Sequence, residues 1–134
     1  MTDRAVTLAT FEENPFFRLC REDPDVVEIF GVKPLRVYPF GEAPQGSELP
    51  FATYQLISGG PENYLSGRPD IDRLVIQVSV FADKATLARK GARNIIAAVE
   101  CDGYVDGYAE GREAGTRHYR ITFTADLWVH RRTR

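Results

Sequence analysis

The chain has 134 residues and a mass of 15.1 kDa, a length that fits one domain spanning 1–134 and able to bury a core without disulfide or metal staples. With 43% hydrophobic and 27% charged residues, it is neither a disordered nor a low-complexity chain. Lys+Arg 17 against Asp+Glu 19 leaves a net charge of −2, too little basic field to hold nucleic acid by counterion release.

Taken in order, Phe11, Phe16, Phe17, Leu19 and Cys20 fall at spacings that give a helix one apolar side. Asp23-Pro24-Asp25 breaks that helix, because the residue before a proline is pushed out of helical backbone. Val26, Val27, Ile29 and Phe30 predict a second short helix, with Asp25 as cap and Gly31 at its close. Leu35-Arg36-Val37-Tyr38-Pro39 reads as a short strand that Pro39 ends or confines to an edge, and Gly41 to Leu49 reads as a loop. Phe51 to Ile57 is a second strand, with Ser58-Gly59-Gly60-Pro61 as its turn. From Asp72 to Phe81, Leu74, Ile76, Val78 and Val80 share one face; Arg73, Val75, Gln77, Ser79 and Phe81 share the other. Asp83 is placed to cap a helix whose Ala88, Ala92, Ile95, Ile96 and Val99 form one stripe, with Arg89, Lys90 and Arg93 opposite and Asp102-Gly103 at its end. Gly103 to Gly115 is either a loop or a bent hairpin arm. Last, Tyr119, Ile121, Phe123, Ala125, Leu127 and Val129 alternate with polar residues in a long strand buried on one face. The pattern predicts an α+β fold: an antiparallel sheet of four or five strands, one long helix packed on a face and an N-terminal helix.

Catalytic chemistry is not legible. A nucleophile needs a base oriented by a third group. His118 and His130 lie at the two ends of the last strand, and neither Cys20 nor Cys101 has a histidine nearby in sequence. Two cysteines this far apart make neither a disulfide scaffold nor a metal site. The acidic pairs Asp23/Asp25, Asp70/Asp72 and Asp102/Asp106 do not extend into a calcium loop, and read as turns and caps. No phosphate-cradling or dinucleotide motif is present, so no enzyme activity, metal or cofactor is expected. No apolar run reaches the ~20 residues of a membrane helix, and the start lacks a secretory signal. What stands out is two polar, glycine-bearing stretches beside long strands, 58–73 and 103–117. Tyr64, Arg68 and Asp70 in the first, and Tyr104, Tyr108 and Arg112 in the second, are tyrosines and charges of the kind that make protein–protein contacts. The helix face of Arg89, Lys90 and Arg93 is expected to look to solvent or to a neighbour's acidic loop.

The block Leu49-Pro50-Phe51-Ala52-Thr53-Tyr54-Gln55-Leu56-Ile57-Ser58-Gly59 resembles a strand of the siphophage tail-completion and tail-terminator family. Arg36-Val37-Tyr38-Pro39 and Ala43-Pro44-Gln45-Gly46 before it, Asp72 to Val78 after it, and Leu19 through Gly31 near the start follow that family's order. The resemblance spans about residues 13–130. It implies a non-catalytic α/β subunit of a hexameric ring that caps the tail-tube protein and joins it to the head connector proteins. It would act in the virion tail, after assembly in the host cytoplasm. DNA would cross the lumen without sequence-specific binding, and no membrane would be involved. A globule of this length has a radius of gyration of ~14 Å, and six such bodies leave a central hole wider than a duplex. A neck protein one ring nearer the head, or a small α+β enzyme or ligand-binding domain using Cys101 or His118, are the alternatives.

Overall fold

The computed structural model describes residues 15–61 and 71–130. Helices α1 (Pro15–Glu22) and α2 (Pro24–Phe30) precede strand β1 (Val37–Tyr38), a 3-10 turn (Pro39–Gly41), and strands β2 (Phe51–Pro61) and β3 (Ile71–Ala82). Helix α3 (Ala85–Val99), β4 (Gly103–Arg112) and β5 (Tyr119–His130) complete the α+β arrangement. The strands form one sheet in the order β1-β2-β3-β5-β4.

The alternation read in β3 and β5 is the register of the sheet. Leu74 pairs with Leu127, Ile76 with Ala125, Val78 with Phe123 and Val80 with Ile121. All eight are buried, and they join one core with Phe16, Cys20, Val26, Phe30, Ala88, Ala92, Ile95 and Val99 from the helices. Ile96 packs against this core half-buried. Gly91 sets how close α3 lies to the rest: a Cβ there would stand 2.9 Å from the Phe30 ring and 3.5 Å from Val80. Burial pushes the Cys20 thiol well above its ordinary pKa, with Asp23 adding to the rise, so this cysteine is core filler and not a nucleophile.

Several elements differ from expectation. The sheet is mixed, because β1 pairs parallel with β2 through Val37–Ala52 and Tyr38–Thr53; the 12-residue connection through the 3-10 turn supplies the crossover that a parallel pair needs. Ser58-Gly59-Gly60-Pro61 does not turn but continues β2, held by pairing to Val75, Leu74, Arg73 and Asp72 after a register shift between Leu56 and Ser58. The cap of α2 is Asp23, not Asp25: its Oδ1 accepts from the Asp25 and Val26 backbone N–H at 2.9 and 3.2 Å, and Pro24 occupies the first helical position, where a missing N–H costs nothing. Asp83 does not cap α3; Lys84 holds that position without a side-chain hydrogen bond. Gly103 to Gly115 resolves into the hairpin arm β4 and a turn. Phe11 lies outside the described residues.

Candidate functional site

The helices cover one face of the sheet and leave the other open. On that open face stand Thr53 and Gln55 of β2, Gln77, Ser79 and Phe81 of β3, and Arg120, Thr122, Thr124 and Asp126 of β5, in register across the strands. Apart from Phe81 they are polar, and the charged ones among them are Arg120 and Asp126. At one end a row of rings crosses the sheet: Phe51 stacks on Phe81 at 5.0 Å, and the Arg120 guanidinium lies 5.9 Å from the Phe81 ring. At the other end Arg73 donates to Asp126, whose side chain is only 6% exposed. Tyr104 lies 5.4 Å from Trp128 beside that pair.

The second surface is at the β4 edge. β4 pairs in phase with β5 from Gly103 to Asp106, then shifts register before Ala109. Gly107 takes the left-handed backbone that this irregularity requires, at φ 69°. The extra residue reverses the facing of the strand. Tyr104 therefore points to the open face, whereas Tyr108 and Glu110 turn toward α3. Arg89 of α3 grips the Glu110 carboxylate with two hydrogen bonds, 2.9 and 3.0 Å, and Tyr108 Oη donates to the same carboxylate at 2.8 Å. These bonds hold the Glu110 carboxyl down at about 2, Arg89 contributing more than Tyr108. Burial, with the Glu110 bond second, raises Tyr108. Arg112 lies 4.5 Å over the Tyr119 ring and donates to the Arg117 carbonyl.

Between α3 and this edge opens a cleft of about 230 Å³, floored by Ala85, Ala88, Tyr119 and Ile121 and rimmed by Arg89, Glu110, Arg112 and Arg120. Of the six contact residues expected from sequence, Tyr104 is on the open face and Tyr108 and Arg112 are beside the cleft. Tyr64, Arg68 and Asp70 lie outside the described residues. Arg89, Lys90 and Arg93 are exposed, as expected of that helix face, and Arg89 also pairs with Glu110 of its own chain. Sequence reasoning missed that pair because its members are 21 positions apart on different elements, and it missed Trp128 because the residue sits inside a long alternating strand. Among the described residues no group of three or more His, Cys, Asp or Glu side chains could hold a metal ion, and no helix is long and apolar enough to cross a membrane.

The model of the family described as tail completion protein gp17 matches residues 15–130. The chain belongs to that family. It is thereby a phage tail structural protein. The matched span begins at the first described helix and ends with β5, so it takes in both faces of the sheet and the cleft. Among solved structures, a chain in the virion of a native gene transfer agent particle shares the fold at a TM-score of 0.59 and 16% identity, covering 85% of this chain and 92% of that one. No curated protein matches.

Proposed function

We propose that this tail completion protein assembles into a hexameric ring that caps the tail tube and joins it to the head connector. The observation that carries this reading is the family match over residues 15–130. The fold shared with a chain of a gene transfer agent virion supports it. A closed ring needs two unlike surfaces on each subunit, because patch A of one copy must meet patch B of the next. This sheet has two unlike ends: a two-residue parallel strand and loop at one, and the bulged edge strand with its basic-rimmed cleft at the other.

Tyr104, Tyr108 and Arg112 then serve contacts with neighbouring subunits or with the tube, and Tyr64, Arg68 and Asp70 serve the same role in the β2–β3 connection. The largely polar open face suits a wall that DNA slides past, since free arginines would bind phosphate; Arg73 is paired with Asp126, and Arg120 lies over the Phe81 ring. The test is to add the purified protein to tail tubes that lack it. Six copies at one end of each tube, with recovery of head joining, are expected. Bound protein at the head vertex and none on tubes would assign it to the neck instead.

A further inference from the structure

Phe40 is the most exposed large hydrophobic residue among those described, at 83%. It is held out by an unusual backbone. With φ 61° and ψ 21° it occupies the left-handed region, which a bulky L-residue avoids and which persists where surrounding structure or function imposes it. It directly follows β1, at one end of the sheet, and β4 with its cleft lies at the other, four strand spacings or about 19 Å away. A cavity of about 150 Å³ already accepts a benzene ring, so the cleft of about 230 Å³ has room for a phenyl group and its methylene. Its floor of two alanines, an isoleucine and a tyrosine ring offers apolar and aromatic contact.

Charge agrees with shape. The loop 39–49 that carries Phe40 contains Glu42 and Glu48 and no basic residue. Glu42 is exposed, and Glu48 touches Arg36 only at 3.9 Å with its side chain 84% exposed. The cleft rim holds Arg89 and Arg112 on the side of α3, its one acid, Glu110, is already engaged by Arg89, and the Arg120 guanidinium lies over the Phe81 ring on the open face. A loop of net −2 thus complements a rim of net +1.

We propose that Phe40 of one copy inserts into the cleft between α3 and the β4–β5 hairpin of the next copy, with Glu42 and Glu48 toward Arg112. This makes the subunit contact head-to-tail, knob at one end of the sheet and hole at the other, the kind of interface that closes into a ring. It rests on the ring reading above and names the surface that forms it.

The test places the photoreactive p-benzoylphenylalanine at position 40 of the full chain and irradiates it with an isotope-labelled copy on purified tail tubes. Adducts to residues 85–89 or 111–121 of the labelled copy are expected. In parallel, Phe40→Ala raises the protein concentration needed to cap tubes at least tenfold, as loss of a central aromatic anchor does. Arg112→Glu does likewise, and adding Glu42→Arg to it restores capping. If Phe40→Ala caps tubes at the wild-type concentration, or the adduct maps to another surface or to the tube protein while six-copy caps still form, the knob assignment falls and the ring stands. If the unaltered chain self-associates neither alone nor on tubes, both fall together.

Discussion

The two faces of one sheet follow opposite rules. Strands β3 and β5 present Ile76, Val78, Ile121 and Phe123 to the helices and Gln77, Ser79, Thr122 and Thr124 to the outside, residue by residue in alternation. On the covered face each side chain is held by neighbours on every side, so a change in volume or charge has nowhere to relax. On the open face exposed groups such as Gln77 can exchange a lost partner for water, while Thr53 and Ser79 are buried, and the ring contacts and the ion pair are gathered at the two ends. Folding stability therefore resides on one side of β3 and β5, and the other side is left to carry contacts.

Adjacent residues of β3 make the sharpest comparison. Ile76→Asp buries an unpaired carboxylate among apolar groups and should cost several kcal/mol, enough to unfold a domain whose total stability is ~5–15 kcal/mol. Gln77→Asp, one position on and exposed, should stay within about 0.5 kcal/mol. Thermal melting by far-UV circular dichroism reads both, and a cooperative, wild-type-like melt of the Ile76 variant would contradict the covered face. Next comes Phe123→Ala, which opens a cavity and should cost about 3–5 kcal/mol in denaturant unfolding, against little for the neighbouring Thr124→Ala.

At the end of the open face the contrast should blur, because Asp126 is as buried as the core. Asp126→Asn should lower the unfolding midpoint by less than Phe123→Ala does. The loss should largely vanish in an Arg73→Gln background, as expected for two members of one ion pair. Equal effects in both backgrounds would uncouple them.

The smallest effect belongs to Glu110, at the exposed rim of the cleft. Its folded carboxyl is held at about 2 against the usual 4.5, so the stabilisation from Arg89 and Tyr108 is complete above about pH 4.5 and fades as pH falls toward 2. A carboxyl-carbon NMR titration should place the midpoint near that lower value, and Arg89→Gln should move it up toward the usual range. An unmoved midpoint would deny the pairing.

How much of this was legible depended on which forces act locally. The stripe of α3 and the alternation of β3 and β5 are written in the sequence because burial selects side chains at fixed periods. The β1–β2 pairing is not, since two residues leave no period, and Ser58-Gly59-Gly60-Pro61 reads as a turn because its strand geometry is imposed by β3 and not by its own preferences. At the candidate site, the composition of 103–117 pointed to Tyr104, Tyr108 and Arg112 as contact residues but could not show that they part to two surfaces. Phe40 falls between the predicted strand 35–39 and the predicted loop 41–49, and neither reading singles it out. Its exposure is a property of three-dimensional placement, and no residue pattern announces it.

The irregularity in β4 has a consequence of addressing. In a regular strand Tyr104, Asp106, Tyr108 and Glu110 would all point the same way. One added residue splits them, so that a single strand delivers one tyrosine to the open face and another to the side of α3. Which surface each half of β4 serves is therefore set by residue count and not by residue identity. Deleting Gly107 would remove the bulge, set Tyr108 opposite Phe123 and keep the two tyrosines on opposite faces, whereas straightening the strand with Gly107 retained would put both on one side.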